Sequence, residues 1–358
     1  MLGTAVGRGG AVLLDREVHK SVCYGCALLG ITPYFFSAPL IEPFAVSGAL
    51  PVKDAEAQLI AHPEIKAILL TSPTYYGIRR AIPEFADLCR AHGKLLLVDG
   101  AHGAHFPAVG CRRRSRKVRI WPCSPCTKTL PCMGQGAVLL SAAGVDRRAL
   151  RENTMLFGTS SPSYPIMASI DLARAYTEGP GHAEYCARRK PAPNCVPMCS
   201  TTMFTALTED HFPALDPCRL TVCTAGTDIT GHQLADTLWS ECGVACEMAD
   251  DRNVVFILTG SDPNGAISRL KRGLRRISRR RELIPLPSLS APFPPAERVM
   301  SVRDAWFSQT GRVQPAAAEG LVCARPVTPY PPGVPLLWPG EKIQERTLHL
   351  SVKDGTIQ

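Results

Sequence analysis

The chain has 358 residues, 45% of them hydrophobic, and a formal charge of +9; this suits a globular protein with one large or two moderate cores and excludes a disordered chain of low hydrophobicity. No apolar run reaches the roughly 18 to 20 residues needed to cross a bilayer, and the first residues lack the basic, apolar and small-residue order of a signal peptide, so a cytoplasmic protein without a membrane partner is expected. The basic excess sits mainly in 112–119, which lacks interleaved aromatics, and in 271–281, which has the pattern of a solvated helical face, so no nucleic-acid partner is expected.

In chain order, Ala11–Asp15 reads as a buried strand, and His19 opens an apparent helix carrying Cys23 and Cys26. Residues 53–62 and 82–92 have apolar positions at helical spacing, with Gly93 a stop for the second, while 66–72 and 94–99 read as buried strands. A further apolar stretch at 136–140 and a helix at 167–176 precede the break Glu178-Gly-Pro-Gly181. This alternation predicts an α/β major domain over 1–178 with a mainly parallel sheet covered by helices. After an irregular segment, 179–215, the runs 219–223, 232–241, 244–248 and 254–258 predict strand, helix, strand and strand, hence a smaller α/β domain over 216–283. The rest, 284–358, is a proline-rich extension containing Pro329-Tyr-Pro-Pro-Gly-Val-Pro335.

Fifteen cysteines are scattered through the chain and read mostly as free thiols. Cys23-x-x-Cys26 and Cys123-x-x-Cys126 each have zinc-ligand spacing, but the pairs are far apart and the first lies on a helix where buried thiols are usual, so no metal is expected.

The segment Lys94-Leu-Leu-Leu-Val-Asp-Gly-Ala-His102 puts an acid and a histidine at the carboxyl end of a buried strand, where open α/β sheets place ligands. Thr71-Ser-Pro-Thr-Tyr-Tyr-Gly77 ends the neighbouring strand in the same manner, and Lys128 sits in a loop ahead of an apolar stretch. A Schiff-base lysine must reach a cofactor lying across strand ends, and an acid must face that cofactor's ring nitrogen; Lys128 and Asp99 can meet these needs.

Val18-His-Lys-Ser-Val22, Thr71-Ser-Pro-Thr-Tyr-Tyr-Gly77, Val98-Asp-Gly-Ala-His-Gly-Ala-His-Phe106, Lys128-Thr-Leu130 and Thr159-Ser-Ser-Pro-Ser-Tyr164 follow one another in an order that resembles the ornithine/lysine/arginine decarboxylase family. Ala249-Asp-Asp-Arg252 and Pro329-Tyr-Pro-Pro-Gly-Val-Pro-Leu-Leu337 extend the resemblance toward the C-terminus. The resemblance implies the aspartate-aminotransferase (type I) fold of pyridoxal 5'-phosphate (PLP) enzymes, homodimers or larger homo-oligomers with sites at subunit interfaces, and decarboxylation of arginine, lysine or ornithine to an amine of the polyamine type. It further implies that His19 stacks on the cofactor ring, Asp99 pairs with the ring nitrogen, Ala101 and His102 border the ring, Lys128 holds the cofactor, and Ser160 and Ser163 lie near the interface. The far end of a cationic substrate needs acids, for which Glu247, Asp250 and Asp251 are candidates, although solvated surface carboxylates are the plainer reading.

Departures from the family pattern accompany these matches. Family members carry an N-terminal segment and a phosphate-binding loop upstream of the strand at Ala11–Asp15, and this chain is expected to lack both. Residues 111–126, rich in arginine, cysteine and proline, occupy the place of a buried strand and of a motif ending Ser-x-His-Lys, with Pro125 and Thr127 at the serine and histidine positions. A reading-frame slip in the gene would account for this stretch and for the similar one at 186–203. Gly100 replaces an acid. An inactive, partly folded remnant that binds an intact homologue is the alternative reading.

Overall fold

The structure is a computed structural model that describes residues 1–109, 128–141, 145–187, 202–259, 262, 265–286, 296–329 and 333–345, together with the backbone of 120–125. A helical turn, α1 (Leu2–Ala5), leads into β1 (Ala11–Asp15), whose residues are all buried. His19 precedes α2 (Lys20–Leu29) as its N-cap, its ring Nδ1 accepting the Ser21 amide at 3.2 Å, and Gly30 ends the helix at φ 65°. There follow β2 (Thr32–Phe36), the ribbon β3 (Leu40–Ile41) and β4 (Val46–Ser47), then α3 (Val52–Ala61), β5 (Ile65–Thr71), α4 (Ile82–Ala91) and β6 (Leu95–Asp99). β7 (Ile120–Pro125) and β8 (Ala137–Ser141) complete a sheet of order β2-β1-β5-β6-β7-β8, in which only β8 runs antiparallel to its neighbour.

Strand residues alternate between the two faces of this sheet, and each face is covered. Val12, Leu14, Leu69 and Leu97 pack with Val22, Cys23 and Cys26 of α2, whereas Leu13, Ile68 and Leu70 pack with Phe85, Leu88 and Cys89 of α4. The first layer also takes in Trp338, 1% exposed and edge-on to Phe35 at 4.9 Å between ring centroids. Arg16 makes a two-pronged bond with Glu341 at 2.8 and 2.9 Å, which ties the same C-terminal segment to the end of β1.

Helices α5 (Arg147–Phe157), α6 (Tyr164–Glu178) and α7 (His182–Ala187) follow. Beyond them β9 (Thr205–Ala206), β10 (Arg219–Cys223), α8 (Gly231–Cys242), β11 (Met248–Ala249), β12 (Asn253–Ile257) and α9 (Ala266–Ser278) form an antiparallel sheet of order β11-β12-β10-β9 with two helices packed on it. A short helix, α10 (Val302–Phe307), returns to pack on α2. The capping box of Thr230 and Gln233 fixes the start of α8, and Gly243 stops it at φ 59°.

Most predicted elements lie within two residues of the observed ones. β2 was not predicted because Pro33 breaks its pattern; the strand is at the edge of the sheet, where a missing donor is tolerated. The strand expected at 244–248 shrinks to Met248–Ala249. Ile120–Pro125, expected to be a poor strand, does pair between β6 and β8, but its register with β8 slips between Ile120 and Cys123, around a proline that has no N–H to give. The remainder of the anomalous 111–126 stretch and most of that at 186–203 lie outside the described residues, as do Thr127 and parts of the proline-rich runs at 284–295 and 329–335.

The basic run on α9 is partly neutralised by neighbours: Arg276 and Arg280 share Glu241, and Arg281 faces Asp228. A costlier ion cluster lies under the major sheet, where the fully buried Arg80 reaches Asp15 at 3.0 Å and Glu17 at 2.8 Å and donates to the Gly48 carbonyl. Replacing Arg80 by Met strands the Asp15 carboxylate, itself 1% exposed, without its counter-charge. The expected loss is about 3–5 kcal/mol of unfolding free energy, read by urea titration.

Candidate active site

β5 and β6 run side by side and end in register, with Thr71 opposite Asp99, so the loops leaving both strands open at the same sheet edge. The first of these loops is fastened to the smaller sheet: Gly77 accepts the Asp216 amide at 2.8 Å, Arg79 donates to Ala214, and Ile78 bridges Leu215. Gly77 adopts φ 92°, and a Cβ there would lie 2.8 Å from Arg219, so glycine is required both by conformation and by contact. Tyr75 donates its hydroxyl to Glu247 at 2.8 Å, and Tyr76 donates to Asp250 at 2.7 Å. Glu247 and Asp250 thus each accept a tyrosine hydroxyl from this loop; Asp250 is half-buried, while Glu247 remains exposed, in keeping with its plain solvated reading.

His102 lies at the centre. Its Nε2 is 3.2 Å from the Lys128 amine, its Nδ1 is 3.4 Å from Nη2 of Arg219, and its ring is 4.5 Å from that of Tyr75. The Lys128 ammonium position is 5.2 Å above the Tyr75 ring. Asp99 accepts the Ala101 amide at 3.0 Å, a turn that fixes the carboxylate at the strand end. Behind His102, the buried Asp216 accepts from the Cys218 amide at 2.9 Å, pairs with His105 Nε2 at 2.8 Å and faces Arg219 at 4.0 Å.

Burial sets the charge states. It lowers the Lys128 amine from the ordinary lysine value, against the opposing pull of Glu247 and Asp99. Burial, with Arg219 and Lys128 adding repulsion, pushes His102 well below the ordinary imidazole range. His19 is lowered by burial and then by Lys128, which places that ring within the same electrostatic field. Burial raises the Asp99 carboxyl, opposed by the Ala101 amide and by Lys128.

Of the residues singled out in sequence, Lys128, Asp99, Ala101, His102 and His19 converge on this one edge. Ser160 and Ser163 are exposed on the turn leading into α6. Asp216, Arg219 and the contact made by Glu247 were not anticipated, and Tyr75 and His105 were noted only as members of their motifs; the available signal was an arginine heading a buried strand. His105, Asp216 and Cys218 bring their donor atoms within 4.8 Å of one another, but the direct His105–Asp216 hydrogen bond occupies the geometry of a structural ion pair. Cys23 and Cys26 are buried on α2 and pack in the core with Val12 and Leu14 of β1, and burial raises both thiols, Cys26 to about 12. Cys126 lies outside the described residues.

A lysine and an acid at the carboxyl ends of a mainly parallel sheet, with a second antiparallel unit against them, define a PLP-dependent transferase-like fold. The chain superposes on the constitutive lysine decarboxylase of E. coli with a TM-score of 0.77 at 19% identity, over 97% of this chain and 62% of that one. It superposes on pyridoxamine-pyruvate aminotransferase from Mesorhizobium loti with a TM-score of 0.58 at 15% identity, over 78% and 76% of the two chains. The chain belongs to the Orn/Lys/Arg decarboxylase family, whose major-domain model matches residues 1–189 and whose C-terminal-domain model matches 293–351. In sequence it is 26% identical to the arginine decarboxylase of Halalkalibacterium halodurans, over 97% of this chain and 73% of that protein. It is 24% identical to the constitutive lysine decarboxylase of Escherichia coli K12, over 95% of this chain and 61% of the relative, so the chain spans less than two thirds of that protein.

Because His102 stays neutral in the folded chain while an exposed histidine takes a proton near pH 6.5, the unfolded state binds more protons below that value. Its stabilising contribution is thus complete above about pH 6.5 and declines as pH falls toward the lowered folded value. Urea titrations between about pH 7.5 and about pH 5 are expected to show stability falling with acidification, and to show a shallower fall in His102→Gln.

Proposed function

We propose that the chain uses pyridoxal 5'-phosphate held at Lys128 to decarboxylate a basic amino acid, releasing an amine and carbon dioxide. The observation that carries this reading is the half-buried Lys128 amine, 3.2 Å from His102 Nε2 and acted on electrostatically by Asp99 at the end of β6. The residues fit the ring end of the cofactor: an amine for its aldehyde carbon, a carboxylate for its ring nitrogen, and the His19 and His102 imidazoles for its borders. When bound, the cofactor supplies an electron sink for the bond to the departing carboxylate.

The protein's own groups do the rest. Asp99, oriented by the Ala101 amide, presents a negative charge to the ring nitrogen, and the lowered Lys128 value makes the neutral amine available. Glu247 lies close enough to Lys128 and Arg219 to act on both charges, and it gives a cationic substrate tail an anionic counterpart at the same edge. Arginine, lysine and ornithine share that tail chemistry. The assembled set of charges favours catalysis over an inert remnant.

Residues 1–178 serve in this reading as the cofactor-binding domain and 216–283 as the small domain, joined by 179–215 and extended by 284–358. A homodimer or larger homo-oligomer is supported by the exposed apolar side chains of Met155, Leu156 and Phe157 on α5 and Tyr164, Met167 and Leu172 on α6. No helix among the described residues is long and apolar enough to cross a membrane, and no disulfide joins the described cysteines; a cytoplasmic enzyme fits both.

Incubation with PLP and reduction with borohydride should fix one cofactor on Lys128, identified by mass spectrometry, and Lys128→Ala should abolish that attachment and the release of carbon dioxide from arginine, lysine or ornithine. Asp99→Asn should retain attachment while decarboxylation falls roughly 10²–10⁴-fold. Failure of the wild-type chain to take up PLP overturns the reading.

A further inference from the structure

We infer that Arg219 sets the tautomer of His102, so that the imidazole presents its Nε2–H to a neutral Lys128 amine and holds that amine in its nucleophilic form. The inference rests on Lys128 being the reactive amine of the proposed decarboxylase, but it concerns the protein's own protons.

The argument is one of donors and acceptors. A neutral imidazole has one N–H and one lone pair, and the two nitrogens of His102 face two different cationic residues, Lys128 at 3.2 Å and Arg219 at 3.4 Å. A guanidinium has only donors and keeps its proton, so it can be satisfied only if Nδ1 carries the lone pair. The hydrogen then resides on Nε2, where it points at the Lys128 nitrogen. An ammonium group has no lone pair to accept it, whereas a neutral amine does. The opposite tautomer would let an ammonium at Lys128 donate to Nε2, but it would set Nδ1–H against the guanidinium N–H. A doubly protonated ring would place a third positive charge between two others in a site where His102 is 5% exposed.

Arg219 is held where it can impose this choice. Its side chain is 1% exposed, Asp216 is its counter-charge at 4.0 Å, and Asp216 is in turn fixed by His105 and the Cys218 amide. Gly77 leaves room for its stem, and its Nε and Nη1 find no hydrogen-bond acceptor, so Nδ1 of His102 is an acceptor that the guanidinium would otherwise lack. The other groups that act on Lys128 are Asp99 from β6, Tyr75 from the loop after β5, His19 from the start of α2 and Glu247 beside β11. Asp99 and Glu247 favour the ammonium, and Arg219, by charge and through His102, opposes them. Arg219 is thus a positioning residue whose effect reaches the amine through the ring.

The test reads the tautomer directly. In the cofactor-free full chain labelled with ¹⁵N-histidine, the imidazole nitrogen shifts of His102, assigned by their loss in His102→Gln, should show hydrogen on Nε2 and none on Nδ1 at neutral pH. Trace acetylation of Lys128 with acetic anhydride across a pH series, quantified by mass spectrometry against the exposed Lys53 and Lys66, should give a midpoint below theirs. In Arg219→Gln that midpoint should rise by about one pH unit, an about tenfold drop in neutral amine at pH 7. Arg219→Lys, which keeps a charged donor, should restore both the tautomer and the midpoint. Hydrogen on Nδ1 in the wild-type chain, or an unchanged Lys128 midpoint in a folded Arg219→Gln protein, overturns the inference; if that variant does not fold, the wild-type tautomer decides. Lack of PLP uptake would overturn the decarboxylase reading alone and would leave the proton arrangement standing.

Discussion

The site depends on how the loop after β5 is fastened, at its far end by a buried arginine and in its middle by backbone bonds to the smaller sheet's side. Arg80 clamps the far end to Asp15 and Glu17 below the carboxyl end of β1, while Gly77 and Arg79 join the middle to the chain just before β10. Just before those anchors stand Tyr75 and Tyr76, whose hydroxyls reach across to Glu247 and Asp250. Loosening either anchor would free Tyr75 from beside His102 and would remove the surface against which Lys128 lies. The cost of burying a guanidinium with two carboxylates is thus accepted for geometry, since such clusters add little net stability compared with apolar packing.

The local concentration of positive charge follows from that geometry. Lys128, Arg219, His19 and His102 share one strand-end edge with Asp99 and Glu247, and burial disfavours the charged forms of the four basic residues and of Asp99. Burial lowers the histidines, the lysine and the arginine alike, but the arginine's ordinary value is so high that it keeps its proton. Such an edge attracts anions, and both groups proposed to enter it carry them: the cofactor a phosphate and the substrate a carboxylate.

The architecture was largely legible because it is written in short-range pattern. The buried runs at 11–15, 66–72 and 94–99 and the helical spacing at 53–62 and 82–92 declare strand and helix without reference to anything distant. Lys128, Asp99 and His102 could be singled out in sequence because their motifs occur in a family order. Arg219 was not, because a charged residue at the head of a strand looks like an ordinary boundary until the strand proves buried along its full length. The contact of Glu247 with Tyr75 was not legible because the two are 172 positions apart, and no local pattern carries that pairing. Pro33 concealed β2 for the opposite reason: its local signal is correct for a central strand and wrong for an edge.

The packing of Trp338 against the sheet layer that also contains Leu2, Val12 and Val22 bears on how the chain reaches its native state. Glu341 clasps Arg16 from 325 positions further along, so one half of this core is sealed by residues made long after those of β1 and α2. During synthesis the α2 layer must therefore wait with apolar surface uncovered, while the opposite layer, built from 11–98, can close as soon as β6 has emerged. The two faces of one sheet thus mature at different times, and the slower face is the one most exposed to aggregation or chaperone capture.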